Sequence, residues 1–247
     1  MNDAAPDRPE LFLEQRDNVA WITIDRPAVR NAMTRAMGTR LGKLLEEARD
    51  NDAISAVVIT GVGTTFSAGL DRKEIAKGLE GKSEFPVELI VQYPKPTIAA
   101  INGLAYGGGA TMAMSCDLRI AAASATLTFG LGKVGLVPEW GSSYLLWRQI
   151  GYSRALDVML TARTIDAHEA LAMGLVNRVV PDDQLTTAVT ELAQQIASLP
   201  PGTALAIKDV LREGLDADFA TARATEARTL GRRSRELAAM RRANEAR

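Results

Sequence analysis

The sequence predicts an α/β fold that gives way to helices in its carboxyl-terminal third. Three observations point there. Short apolar runs rich in β-branched residues alternate with helical patterns through the first half, the signature of parallel strands joined by crossover helices. Beyond Pro138 helical spacing takes over, with one short extended piece at 176–180. The chain has 247 residues, 47% of them hydrophobic, which is enough to bury a core without a disulfide or metal staple.

Element by element, residues 1–9 are polar and proline-bearing and read as a disordered tail without the apolar stretch of a secretory signal. Runs 12–16 and 19–25, joined at Asp17-Asn18, read as an opening hairpin. A helical pattern follows at 33–50. Strands are expected at 56–60, 97–101 and 118–122, with a weaker one at 126–129, and a helix at 110–116. Helical spacing then occupies 142–150, 153–160, 166–173 and 182–199, until Pro200-Pro201-Gly202 stops it. Two more helices, 203–213 and 218–242, close the chain. The expected organisation is a tail (1–9), an α/β core (10–190) and a helical segment (191–247), with no internal repeat.

Composition removes several classes of function. With 29 Lys plus Arg against 30 Asp plus Glu, the net charge is −1. That balance argues against nucleic acid as the main partner, because a phosphate backbone demands a basic surface. The lone Cys116 cannot form an internal disulfide. The lone His168 excludes a His-rich metal site and most Ser/His or Cys/His triads, so no metal is expected. No apolar run approaches the roughly 20 residues of a membrane span, so no membrane partner is expected and the cytoplasm is the default compartment. Carboxylate acid/base chemistry, backbone electrostatics or binding alone remain. Of the last 25 residues, eight are arginine and three are glutamate, which reads either as a solvated helix face or as a surface for phosphate or a neighbouring subunit.

Three glycine motifs follow. Gly130-Leu-Gly132-Lys-Val-Gly135 matches the dinucleotide fingerprint by letter, but Pro138 follows at once and forbids the helix that fingerprint needs, so it reads as chance. The run FSAGLDRKE (66–74) follows a buried strand and opens a charged helical stretch; its small residues let backbone N–H groups face open space. NGLAYGGGA (102–110) also follows an apolar strand. Its three consecutive glycines suggest close approach of a ligand to a helix N-terminus. Together the two turns can supply two N–H donors to one oxygen. His168, in the first turn of a helix, and Cys116, a small buried hydrophobe, carry no chemistry on this reading. Trp21 and Trp147 read as core or interface residues.

The motifs FSAGLDRKE, KPTIAAINGLAYGGG, CDLRIAAASA, GLVPEWGSSYLL and DAHEALAMGLVNRVVP, in that order, resemble the crotonase (enoyl-CoA hydratase/isomerase) superfamily. The likeness runs from about Arg26 to Pro181. It implies a crotonase-like ββα spiral core with a helical carboxyl-terminal trimerisation segment, homotrimers or dimers of trimers, and acyl-CoA thioesters as substrate, with coenzyme A part of that substrate and no separate cofactor. It further implies that the backbone N–H groups of Leu70 and Gly108 form an oxyanion hole for the thioester carbonyl. Ala68, Gly69, Asp71, Arg72 and Lys73 would line the CoA, Arg26 and Ala28 would flank it, and Gly107, Thr111, Leu131 and Trp140 would border the substrate.

The departures are as informative. The family's hydratases use two glutamates; the matching positions here are Thr111 and, by an ungapped count back from Gly-Leu-Val-Pro, Leu131. One acid remains, Glu139, where some of the family's Δ3,Δ2-enoyl-CoA isomerases carry a catalytic Glu or Asp. A single carboxylate suits a 1,3-proton shift, because one group can move the proton between C2 and C4. Leu131, Leu136 and Trp140 offer apolar neighbours that would raise its pKa. Alternatively Glu139 simply caps the helix that follows. The leading expectation is double-bond isomerisation of an enoyl-CoA. A hydratase or related lyase with a non-standard acid is the alternative among enzymes, and a catalytically silent acyl-CoA binder the alternative outside them.

Overall fold

The structure, a computed structural model, describes residues 9–78 and 85–245. The expected tail except Pro9, and part of the 74–90 stretch expected to wall the acyl pocket, lie outside the described residues.

Two sheets organise the core. The larger joins β1 (Leu11–Arg16), β2 (Val19–Ile24), β3 (Ala56–Gly61), β5 (Thr97–Ile101), β7 (Leu118–Ala122) and β10 (Arg178–Val180), in the order β1-β2-β3-β5-β7-β10. Every neighbour is parallel except the β1–β2 hairpin, which turns at Asp17 and Asn18 with Arg16 opposite Val19. The smaller sheet joins β4 (Thr65–Ser67), β6 (Leu104–Tyr106), β8 (Thr126–Thr128) and β9 (Thr164–Asp166). Long and short strands alternate along the chain, β3 then β4, β5 then β6, β7 then β8. Each pair therefore advances one turn of a spiral, as the ββα reading expects.

Helices pack outside these turns because their apolar stripes match the sheet faces. In α1 (Arg35–Asp50), Met37, Leu41, Leu44, Leu45 and Ala48 are buried, and the Thr34 hydroxyl caps the start by accepting from the Met37 N–H. Two short helices, α2 (Arg72–Ala76) and α3 (Val87–Val91), precede α4 (Gly108–Ser115), which is buried along its whole length. Beyond them lie α5 (Ser142–Ile150), α6 (Tyr152–Thr161), α7 (Ala167–Met173) and α8 (Leu185–Ala197). The expected 190/191 division falls inside α8, whose Leu185, Val189 and Ala193 are buried in the core. The last two helices, α9 (Thr203–Gly214) and α10 (Phe219–Glu245), pack on each other. They are tied to the sheet by Lys208, whose ammonium donates to Asp117; the same carboxylate accepts from the N–H and hydroxyl of Thr97. Among the described residues no helix is long and apolar enough to cross a membrane.

The expected helices and long strands are present within a few residues. The short strands β4, β6 and β9 are additional. The segment 130–135 forms a 3₁₀ turn ending at left-handed Gly135, so the dinucleotide-like motif has no helix behind it.

Candidate active site

Two backbone turns meet at the centre of the molecule. The first follows β4. Gly69 adopts φ +83°, and Met33 and Leu70 form a one-residue parallel bridge: the Met33 N–H donates to the Gly69 carbonyl at 2.7 Å and the Asp71 N–H to the Met33 carbonyl at 2.9 Å. Backbone groups alternate direction in such a bridge, so the N–H of Leu70 faces away from Met33, and it has no protein acceptor among the described residues.

Arg26 and Asp71 brace this turn from outside. The guanidinium donates to Asp71 Oδ2 at 3.0 Å and to the Ala32 carbonyl at 2.6 Å, while Asp71 Oδ1 accepts from the Lys73 N–H at 2.9 Å and so caps α2. The Lys73 amide, opposed by desolvation and aided by Arg26, holds the Asp71 carboxyl below the usual carboxylate range. The Arg26 and Asp71 side chains, both expected beside a ligand, thus face each other. Ala28, Arg72 and Lys73 are exposed, Ala28 on a 3₁₀ turn and the two cations on α2; Ala68 is half-buried.

The second turn precedes α4. Gly107, at φ +53° and ψ −119°, donates its N–H to Thr128 and turns the chain into the helix. The first N–H groups of a helix have no intrahelical acceptor, and the N–H of Gly108 has none elsewhere among the described residues. The turns touch: a β-carbon on Gly69 would lie 2.9 Å from the Gly108 nitrogen, and one on Gly109 would lie 2.1 Å from the Ser67 carbonyl oxygen. Glycine is required here for backbone to approach backbone. The two free N–H donors read from the sequence therefore sit on adjoining turns.

Glu139 is linked to this place by its neighbour Trp140 and is not among the residues that line the cavity beside it. Its carbonyl accepts from the N–H and the hydroxyl of Ser142, at 3.0 and 2.9 Å, closing a turn in which Trp140 and Gly141 both have positive φ. A tryptophan at φ +53° is strained. It is held by its contacts: its indole stacks on Phe85, centroids 4.1 Å apart and planes 8° from parallel, and presses on Gly108. Glu139 is half-buried, and burial pushes its carboxyl above the usual range. The cap of α5 is Gly141, so Glu139 does not cap that helix with its side chain.

Thr111 and Leu131 do converge. With Gly107, Phe129, Leu136, Pro138 and Ser142 they line a cavity of about 390 Å³. Both are neutral, and the buried Thr111 hydroxyl is turned back onto the Gly107 carbonyl at 3.3 Å. Burial pushes the Cys116 thiol up to about 12, so it is no nucleophile at neutral pH. His168 sits in the first turn of α7; Trp21 is in the core, whereas Trp147 is exposed beside Arg148. No group of three His, Cys, Asp or Glu that could hold a metal occurs among the described residues.

Sequence reasoning missed Ser67 and Phe85. Ser67 is a small polar residue in an apolar run. The partner of Phe85 lies 55 positions away, beyond any local pattern.

A sequence model of the enoyl-CoA hydratase/isomerase family matches residues 14–240. The chain is 36% identical to the short-chain-enoyl-CoA hydratase of Clostridium acetobutylicum, over 90% of this chain and 88% of that protein. It is 35% identical to 4-chlorobenzoyl coenzyme A dehalogenase-2 of an Arthrobacter species, over 83% and 78% respectively. A candidate enoyl-CoA hydratase of Thermobifida fusca, crystallised in complex with CoA, superposes with a TM-score of 0.82 at 36% identity, covering 93% of this chain and 94% of that one.

Proposed function

The chain belongs to the enoyl-CoA hydratase/isomerase family, and from that premise we propose that it is an acyl-CoA enzyme shifting a double bond with Glu139 as its acid/base. One observation carries this reading. Glu139, half-buried and with its pKa raised by desolvation, directly precedes Trp140, whose ring presses on Gly108, while Thr111 and Leu131 stand at the two positions that by resemblance carry acids in the family's hydratases. In this mechanism the thioester carbonyl of a 3-enoyl-CoA accepts from the N–H groups of Leu70 and Gly108. The Glu139 carboxylate removes a proton from C2, leaving a dienolate whose negative oxygen is held by both donors. The same carboxyl returns the proton at C4, giving the 2-enoyl-CoA. No water is added, so a second acid is not needed. A raised pKa suits the task, because an acid/base works best with a pKa near the working pH.

Exposed Arg72 and Lys73 supply cations for the CoA phosphates. The exposed apolar residues of α5, α6, α9 and α10 supply the faces for a trimer.

Hydration is the second reading, supported by the hydratase names among the relatives. A third follows from the Arthrobacter protein: an unprotonated Glu139 is also a nucleophile, which can form a C–O bond at ring C4 of 4-chlorobenzoyl-CoA as the C–Cl bond breaks and chloride leaves. Water then hydrolyses the aryl ester to 4-hydroxybenzoyl-CoA and free carboxylate. Assays of the purified protein with 3-enoyl-CoA, 2-enoyl-CoA and 4-chlorobenzoyl-CoA separate them. Turnover of the first alone is expected. Water addition to the second or chloride release from the third replaces this proposal, and turnover of none with retained acyl-CoA binding makes the chain a binder.

A further inference from the structure

We infer that Ser67 is a positioning residue that sets the separation of the Leu70 and Gly108 N–H donors, an inference that rests on the oxyanion-hole reading above. Ser67 is completely buried. Its hydroxyl donates to the Asn31 carbonyl at 2.8 Å and accepts from the Gly69 N–H at 3.1 Å, so this oxygen ties the residue before Leu70 to the segment before α1, beside the Met33 bridge and the Arg26–Asp71 pair. Its carbonyl is the surface against which Gly109 rests, where a β-carbon would lie only 2.1 Å away. One residue thus touches both turns, by side chain on one side and by backbone on the other.

Its anchorage is rigid. Ser67 pairs with Ala105 across a register irregularity in the β4–β6 ladder, a place where bulges characteristically re-aim the chain next to active sites. Asn31, itself fully buried, donates to the carbonyls of Val62 and Thr65 and accepts from the Arg26 N–H. The network ties the β3–β4 loop to the turn before α1. Both bonds of the Ser67 hydroxyl are internal, so it does not touch substrate. Its effect is on geometry: without it the Gly69 N–H loses its acceptor, and the Leu70 turn keeps its Met33 bridge but loses the tie that sets it against the Ser67 backbone and α4. Donors stabilise an oxyanion only when aimed at the place where charge develops, so a small displacement weakens stabilisation of the enolate more than binding of the neutral thioester.

Acetoacetyl-CoA is a probe that reads this directly, because its enolate absorbs in the ultraviolet and forms without help from Glu139. Bound to the wild-type protein, its titration midpoint should lie below that of the free thioester. In Ser67→Ala the midpoint should move back up by about one pH unit, a tenfold loss out of the 10²–10³-fold credited to one donor. Affinity for the keto form at low pH should change less than about threefold, since ground-state binding is not what the donors favour. Gly109→Ala presses on the Ser67 carbonyl from the helix side and should shift the midpoint the same way, which keeps the test alive if Ser67→Ala does not fold. A displaced wild-type midpoint shared by both variants overturns the role of Ser67 alone. A wild-type midpoint equal to that of the free probe overturns the oxyanion-hole reading, and this inference with it.

Discussion

The six-membered ring of Trp140 lies so close to Gly108 that a β-carbon there would sit 2.1 Å from the ring's Cζ3. The residue beside the candidate acid and the residue carrying a candidate oxyanion donor are therefore fitted to each other. Gly108→Ala forces the indole off its stack on Phe85. The variant should lose about 1–3 kcal/mol of stability, the usual cost of overpacking. Its activity should fall at least about tenfold as the donor and Glu139 are moved apart. Urea unfolding and steady-state kinetics check both, and an unchanged stability would mean the contact is loose.

Glu139→Gln keeps size and hydrogen-bonding reach but cannot take a proton. If Glu139 carries the proton between carbons, turnover should drop by roughly 10²–10⁴-fold. Acyl-CoA affinity should persist, because the donors are backbone groups. Since burial raises the Glu139 pKa, the ascending limb of the wild-type kcat/KM profile should lie above the ordinary carboxylate range. Normal turnover in this variant would remove Glu139 from the mechanism.

The same substitution should stabilise the protein at neutral pH. Desolvation raises the folded-state pKa of Glu139 above its unfolded value, so the folded state holds the proton more tightly. Stability is thus greatest when the group is protonated, and it is lost as pH rises through the folded pKa. Glutamine carries no such cost. The melting temperature of Glu139→Gln should exceed the wild type's at neutral pH and converge with it below the ordinary carboxylate range. A gap that widened on acidification would contradict the desolvation argument.

What the sequence disclosed depended on how many periods each element spans. The fully buried β2 and β5, and α1 with its stripe at Met37, Leu41, Leu44, Leu45 and Ala48, repeat their pattern often enough to be read. The strands β4, β6 and β9 have three residues each, less than two periods of the pleat, so of the second sheet only β8 is expected from the sequence. At the site, the glycine turns were legible because only glycine permits such close backbone contact. Glu139 stood out as an acid at a motif position, and the role proposed for it rests on that and on its burial. The Phe85–Trp140 stack and the Ser67 bridge were not, since each joins residues that only the folded spiral brings together. The Arg26–Asp71 pair was half legible: the residues stood out, but nothing in their spacing showed that they face each other.

Val137 and Leu160, which line the cavity, are 76% and 75% exposed, Val134 and Tyr152 are each 69% exposed, and Leu211, Leu215 and Phe219 are 65–80% exposed on the last two helices and the link between them. Apolar surface on this scale is characteristic of an interaction site. Sedimentation at micromolar concentration should find trimers or dimers of trimers, and Leu160→Asp or Phe219→Asp should shift them towards monomer. Wild-type protein found only at 26.5 kDa would overturn the assembly.

Arg26 and Asp71 make a largely buried ion pair at 3.0 Å that holds the Leu70 turn, so acid should loosen that turn first. The Lys73 amide and the Arg26 guanidinium outweigh desolvation and depress the folded-state pKa of Asp71 below its unfolded value. The stability this provides is fully present above the unfolded carboxylate pKa and is lost as pH falls through the folded one. Asp71→Ala removes both the cap of α2, worth about 0.5–2 kcal/mol, and the partner of Arg26. It should therefore be clearly less stable than wild type at pH 7, and the difference should shrink as the wild-type carboxylate protonates. Asp71→Asn, which keeps an oxygen for the Lys73 amide, should lose less. Acyl-CoA turnover in both variants should fall more than acyl-CoA affinity, because the pair acts on the Leu70 donor and not on the ligand. Denaturant unfolding of the three proteins from pH 7 down through the depressed pKa of Asp71 checks the sign, and a difference that did not shrink below that pKa would show that the pair contributes no charge-dependent hold on the turn.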